Sequence, residues 1–338
     1  MEFLRRRLGL ILRTLVSVAL VAWLCRLVDW PRLAAITRTM DTGWLAASLC
    51  CFAPVILIVS WRWRLLLAVH DVHLRFWRVL ELTMIGQFFS SFLMGTTGGD
   101  VFKIFYVARA VPQRRAAVGF TVIVDRIIGM VALLLFGVAL SFTVLPLLLS
   151  RADTRVATLT FYFFAAAGTV GSIVACFGFT WLRNERLRGW LKRIPFLKRG
   201  SSLFAAYERT AHAYGVNGLA LIVSIPSHVS SVLMGYCIIR AMHLHPALLV
   251  YCSIQVIVNM LIALPTSIAG LGVREGLFVM FFALLGIDAD HAVAYSLTFF
   301  ALNMAWGAIA GVFYFFYRHE THEPAPDPAE VAPILYKS

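Results

Sequence analysis

The residues best placed to do chemistry in this chain are ionisable side chains embedded in apolar sequence. Asp100 and Lys103 stand one helical turn apart, just after Gly95-Thr96-Thr97-Gly98-Gly99. Asp125 and Arg126 lie inside a long apolar run, and Arg274 and Glu275 follow Leu264-Pro265-Thr266-Ser267-Ile268-Ala269-Gly270-Leu271-Gly272. An ionisable group at membrane depth costs on the order of 2.5–3.5 kcal/mol by insertion scales, so each needs a partner or a purpose. Lys103, Arg126 and Arg274 offer binding chemistry for an anion such as phosphate, and free backbone N–H groups at a helix start add to it. Asp100, Asp125 and Glu275 would balance these cations when no ligand is present, and would meet a cationic group if the ligand carried one. Asp100 also complements the positive end of a helix dipole, while Lys103 either snorkels or faces a cavity. The structural alternative is a set of permanent ion pairs that fix helix packing.

Five residues mark where helices should break: Gly98 and Gly99 in the first stretch, and Pro265, Gly270 and Gly272 in the second. Proline removes a backbone donor and clashes with the preceding turn, and glycine tolerates left-handed backbone. At membrane depth such backbone is tolerated only inside protein or beside a wet cavity. One reading is therefore a pair of broken helices lining a site; the other is two short extramembrane loops between ordinary spans.

The elements that must position these groups follow from composition. Of 338 residues, 60% are hydrophobic and only 14% charged, with a mean hydropathy of +0.82. These values exclude an ordinary soluble domain and predict an all-α, polytopic helical membrane protein. There is room for about seven to nine spans of about 20 residues, and none for a soluble catalytic domain beside them. The net charge of +13 does not point to nucleic acid, because the basic residues flank apolar runs. That placement fits cytoplasmic loops and anionic lipid headgroups.

No cofactor or metal is expected. The six cysteines lie in or beside apolar runs without zinc-like spacing. His243 and His245 lack a third ligand at suitable spacing, and the stretch 95–100 lacks the Gly-Lys-Ser/Thr ending of a nucleotide phosphate loop. The basic, apolar start lacks a small-x-small cleavage site, which predicts a retained first span at 10–28 rather than a signal peptide.

Further apolar runs lie at 43–60, 79–94, 118–144, 157–182, 217–240, 247–264, 277–286 and 291–317, with tryptophans including Trp44, Trp63, Trp77 and Trp181 near their ends. Interfacial belts would place them there. Arg5, Arg6, Arg7 and Arg13 predict a cytoplasmic N-terminus, and Arg62, Arg64, Arg75 and Arg78 predict that 61–78 is also inside. The next basic cluster, Arg109, Arg114 and Arg115, comes only about 31 residues after Arg78, whereas two full crossings need about 40 plus a turn. Residues 79–111 are thus expected to re-enter on the face they left.

The strongly basic segment 183–210 is expected in the cytoplasm, either as an amphipathic helix on anionic lipid headgroups or as a solvated loop. Residues 286–291 are acidic and read as external, and Arg318 returns to the cytoplasm. Residues 1–318 form one membrane domain on this reading, and 319–338, rich in Pro and acidic residues, form a disordered tail. The localisation implied is the plasma (inner) membrane with both termini cytoplasmic.

The regions 79–144 and 247–317 share a layout of apolar run, Gly-rich break with opposite charges, half-helix, charged turn and long span. Displaced by 174 residues, Gly98 falls on Gly272 and Gly137 on Gly311. The charge map gives the two hairpins opposite orientation, and inverted repeats with broken helices are a transporter signature. Gln87, Asn259 and Asn303 are expected to bond between helices.

Three stretches carry a family resemblance: GGDVFKIFYVAR at 98–109, VDRIIGMVALLLFG at 124–137 and LPTSIAGLGVREG at 264–276. Across about residues 79–317 the chain resembles the flippase-like integral-membrane proteins related to the transmembrane half of lysylphosphatidylglycerol synthase. The resemblance implies a polytopic helical fold and movement of a polar lipid between leaflets. Because the chain ends at 338 without an aminoacyl-transferase domain, it implies translocation without synthesis. The site expected is a hydrated groove between the hairpins, in which Lys103, Arg126 and Arg274 hold the lipid phosphate while the tails stay in the bilayer. Two other functions stay open: an integral-membrane transferase acting on a phospholipid or polyprenyl donor, and a non-transporting scaffold for envelope assembly.

Overall fold

A computed structural model describes residues 30–92, 98–182, 201–263 and 272–316, and among these residues there are helices and no strands. In order they are α1 Trp30–Arg38, α2 Thr42–Val69, α3 Phe76–Phe92, α4 Gly98–Ala110, α5 Arg115–Phe142, α6 Leu145–Leu148, α7 Ala152–Leu182, α8 Ser201–His212, α9 Tyr214–Ala241, α10 Leu248–Ala263, α11 Val273–Phe282 and α12 Ala289–Phe316. The expected span at 10–28, the break residues Pro265 and Gly270, the basic stretch 183–200 and the tail 319–338 lie outside the described residues.

Length sets long helices apart from short ones, and α7 is the longest of the described helices at 31 residues. Helices α2, α5, α9 and α12 have 28 residues each, about 42 Å at 1.5 Å per residue, which exceeds the roughly 30 Å of bilayer hydrocarbon. Among the described residues, these four are long and apolar enough to cross a membrane. Helices α3, α4, α10 and α11 have 17, 13, 16 and 10 residues, so at about 15–26 Å none of them spans the hydrocarbon by itself.

These elements repeat. Displaced by 174 residues, α5 falls on α12 end to end, and displaced by 172, α2 falls on α9. Between them come α3 and α4 in the first half, and α10 and α11 in the second. The long helix is closed in the same way each time. Val72 N–H donates to Leu67 O (3.1 Å) and Leu244 N–H to Ile239 O (3.2 Å), with Asp71 (φ 53°) and His243 (φ 60°) left-handed between them. That is the usual way of satisfying the last helical carbonyls, although glycine is the commoner residue there.

The chain packs into two compact units, each drawn from separated stretches. One comprises Met1–Val55, Val131–Thr169 and Ser227–Trp306, with a core that includes Leu134, Phe161, Tyr251, Ile257, Phe281 and Tyr295. The other comprises Ile56–Met130, Val170–Pro226 and Gly307–Ser338, with Trp63, Leu67, Val79, Val107, Val118 and Val122 at its centre. Each unit holds one short-helix pair. Within its unit, Gly137 lies against Val256 of α10, and Gly311 lies against the Phe88 ring of α3. The glycine of each repeat thus meets the first short helix of the other. Many large apolar side chains remain exposed, among them Phe105, Phe163, Ile222 and Phe315, as immersion in lipid requires.

Three expectations change. The second span does not stop at residue 60: α2 runs on to Val69, which puts Trp63 in the core (1% exposed) instead of an interfacial belt, and buries Arg62. Trp44 and Trp77 are exposed near the starts of α2 and α3. Gln87, Asn259 and Asn303 bond within their own helices, to Ser91, Gln255 and the Phe299 carbonyl. Bonds between helices come instead from Ser48 to the Met234 carbonyl and from Trp306 to the Leu49 carbonyl, both 2.8 Å.

Candidate functional site: two charged clusters at the short-helix pairs

Helices α3 and α4 lie antiparallel. Phe89 stacks on Phe102 with ring centroids 3.5 Å apart, and Gly99 N–H donates to Ser90 Oγ at 3.2 Å. The approach is close because Gly99 has no side chain: a Cβ there would run into the Gly86 carbonyl and the Ser90 hydroxyl. Lys103 then lies along Gly86, with its ammonium 5.3 Å over the Trp63 ring.

Around this pair the charges cross between helices. Asp125 and Arg126 are neighbours in sequence, but successive helical residues point about 100° apart, so they do not share a partner. Asp125 accepts from Arg62 Nε at 2.7 Å, and Arg62 also donates to Ser224 Oγ at 2.7 Å. This pair is buried, at 5% exposure for Arg62 and 8% for Asp125. Arg126 donates to Asp100 Oδ2 at 2.6 Å and is itself exposed, about 16 Å along α5 from its start. Lys103 is half-buried, and among the described residues no carboxylate reaches it within 4.0 Å. Three cations (Arg62, Lys103, Arg126) therefore face two carboxylates (Asp100, Asp125), with the surplus on the lysine.

The second cluster sits at the start of α11, which packs on α10 with Tyr251 near the start of one helix against Phe282 at the end of the other (6.4 Å). Gly272 is the N-cap at φ 83°, a conformation cheap only for glycine. Glu275 folds back so that its Oε2 accepts from Gly272 N–H at 2.7 Å, which satisfies one open donor of the first turn. Its Oε1 accepts from Arg274 Nη2 (2.5 Å), Arg274 Nε (3.0 Å) and Ser296 Oγ (2.9 Å), and Arg274 Nε also reaches Ser296 Oγ at 2.7 Å. Arg274 lies 5.0 Å from the Phe300 ring. The triangle is neutral and closed, with Arg274 7% and Glu275 3% exposed. Beside it, Tyr295 donates to Gln255 and meets the Tyr251 hydroxyl, both at 2.8 Å.

The sequence-predicted residues thus fall into two groups. Asp100, Lys103, Asp125, Arg126, Gly98 and Gly99 come together in one unit, and Arg274, Glu275 and Gly272 in the other. The sequence reading took Arg62 only as a charge at the membrane border and placed neither it nor Ser224 or Ser296 at a cluster. Arg62 sits in the run Trp61-Arg62-Trp63-Arg64, which reads as a membrane border; the Leu65-Leu66-Leu67-Ala68-Val69 that follows is the signal that the helix goes on. Serines within apolar runs carry no comparable mark.

No curated protein and no solved structure matches the chain. A family model does, described as the lysylphosphatidylglycerol synthase TM region, and the match covers residues 10–311, taking in both short-helix pairs and both charged clusters. The chain is a multi-pass integral-membrane protein and belongs to the lysylphosphatidylglycerol synthase TM region family.

Proposed function

We propose that the protein is a flippase-like transporter that moves a lipid with an anionic or polar headgroup between leaflets, and that the Lys103 cluster is where the headgroup is held. The observation that carries this reading is the cation surplus at the start of α4. Lys103 is half-buried with no carboxylate within 4.0 Å among the described residues, and its neighbour Arg126 is exposed at membrane depth. A phosphodiester entering there accepts from the Lys103 ammonium and from the guanidinium of Arg126, and Asp100 gives up part of its hold on that arginine. Asp125 stays with Arg62 and keeps the cluster from carrying excess charge when empty. The acyl tails remain in lipid while the head crosses, which lowers the cost of moving a charged group.

The short-helix pairs take the role of re-entrant hairpins, each too short to cross alone. Arg274 enters by exchange: a phosphate replaces Glu275 Oε1 on its Nη2 and Nε donors, and Glu275 keeps its bond to the Gly272 N–H. The protein lies in the inner membrane with both termini cytoplasmic, and the basic segment 183–210 rests on anionic headgroups.

Purified protein in liposomes tests the reading. A fluorescent phosphatidylglycerol analogue placed in both leaflets should become wholly accessible to a reagent added outside, against about half in empty vesicles. A new lipid product instead would make the protein a transferase, and neither result would leave a scaffold.

A further inference from the structure

A second, separate basic site lies where α2 ends, α5 begins and α8 passes. A cavity of about 240 Å³ there is lined by His70, Gln113, Arg114, Ala206 and Arg209 among others, all in one unit. Asp71 bridges its two arginines: Arg114 Nη1 donates to Asp71 Oδ2 at 2.9 Å, and Arg209 Nη2 to Asp71 Oδ1 at 2.7 Å. Arg114 Nη1 also donates to the His70 carbonyl, and His70 Nε2 is 2.9 Å from Thr210 Oγ1, which ties α8 to the turn.

Two features argue that this is more than a surface ion pair. The first is stoichiometry. One carboxylate serves two guanidinium groups, each of which presents five N–H donors in a planar fork. Among the described residues only Nη1 of Arg114 and Nη2 of Arg209 are engaged, and the Gln113 amide beside them makes no hydrogen bond. All three ion-pair members are exposed over about two-fifths to one-half of their side chains, so the donors are reachable. The second feature is the backbone. Asp71 holds the left-handed position (φ 53°) that glycine fills at less cost. Keeping an aspartate there places a carboxylate between the two arginines at the expense of backbone strain.

We propose that this cavity binds a phosphate oxyanion, with Arg114 and Arg209 as the two donor forks and Asp71 as a built-in competitor that sets the affinity. Arginine pairs match phosphate geometry through parallel N–H donors. The phosphate is carried either by a soluble ion or by a lipid headgroup at the membrane border, and the donor chemistry is the same for both. The site shares no residue with the Lys103 cluster and stands whether or not the protein moves lipid.

The test uses the full chain in nanodiscs. In discs of phosphatidylcholine alone, inorganic phosphate is titrated at constant ionic strength against chloride, and the unfolding temperature is followed. In a second arm the discs carry phosphatidic acid. A saturable rise with inorganic phosphate identifies a soluble ligand. A rise in the phosphatidic acid discs together with loss of the response to free phosphate identifies a headgroup. In either case Arg114→Gln and Arg209→Gln each weaken the effect. Asp71→Gly, which suits the positive φ and removes the competitor, tightens binding by roughly twofold to tenfold, the range expected from two exposed ion pairs. No rise in either arm, a rise indifferent to both arginine substitutions, or weaker binding in Asp71→Gly would overturn the proposal. The Asp71→Gly arm keeps the test decisive should an arginine variant fail to fold.

Discussion

The two repeats use one scaffold and reach opposite electrostatic outcomes. At positions related by 174 residues, Asp100 pairs with Arg126 at 2.6 Å and Arg274 lies 5.0 Å over Phe300. The third residue of the half-helix region and the same position of the following long helix meet in both halves, yet the first half puts an acid where the second puts a base. The first cluster draws its partners from other helices and leaves a lysine with no carboxylate within 4.0 Å among the described residues. The second closes on itself, with Arg274, Glu275 and Ser296 all bonded to one another. A cluster that keeps a surplus cation and an exposed arginine is able to bind an anion without first breaking a buried pair. A closed triangle fixes a half-helix start and gives up its arginine only by exchange.

The largest effect expected from breaking this contrast is at Arg62. Arg62→Met leaves the Asp125 carboxylate buried without its partner, at a cost of about 3–5 kcal/mol, and adding Asp125→Asn should recover most of it. Unfolding of both variants in detergent checks this; an unperturbed single mutant would mean that Asp125 draws on other partners. Next comes the close approach of α3 and α4. Gly99→Ala meets backbone, which has little room to give, so the loss should reach or exceed about 3 kcal/mol, the upper end for overpacking. Gly276→Ala in α11 meets nothing within 4 Å and should be neutral or stabilising by up to about 1 kcal/mol.

Ser296→Ala is milder, at about 1.5 kcal/mol, because Arg274 and Glu275 still hold each other. Its sharper readout is hydrogen exchange in the first turn of α11, which should quicken while α4 is unchanged.

The smallest effect is on pH, at the turn after α2. Burial, then Arg209, pushes the His70 imidazole below its ordinary 6.5, and hydrogen bonds from Arg114 and Arg209 hold the Asp71 carboxyl below 3.8. Both groups bind protons more readily in the unfolded chain, so stability falls on acidification, from about pH 6.5 downward for His70 and below the usual carboxylate range for Asp71. Since Asp71 is exposed, its share stays under about 1 kcal/mol. Unfolding temperatures of wild type and His70→Gln between pH 7.5 and 5 should converge at the acid end.

Much of the fold was legible because lipid imposes a simple rule: crossing helices must be long and apolar throughout. The runs at 118–144, 217–240 and 291–317 therefore lie within about three residues of the observed α5, α9 and α12 bounds. The first pair of short helices could be read from spacing, since two full crossings do not fit between Arg78 and Arg109. The charged residues were legible as well, because each is conspicuous in apolar sequence. Their pairing was not. Asp125 finds Arg62 across 63 positions, and Arg126 finds Asp100 across 26, so no local spacing carries either bond. Only Arg274 and Glu275, adjacent at a helix start where the acid folds back to the N-cap, pair as neighbours.

The central claim is that the surplus cation on α4 holds a lipid phosphate in transit. The most direct measurement is the rate at which liposomes bearing wild-type or Lys103→Met protein expose a fluorescent phosphatidylglycerol analogue to an outside reagent, with circular dichroism as the check on folding. The account predicts that Lys103→Met folds as wild type and lowers the rate at least tenfold, about 1.4 kcal/mol of lost binding to the phosphate in transit, and that Lys103→Arg restores a substantial part of it. Wild-type exposure rates in a folded Lys103→Met protein would contradict it.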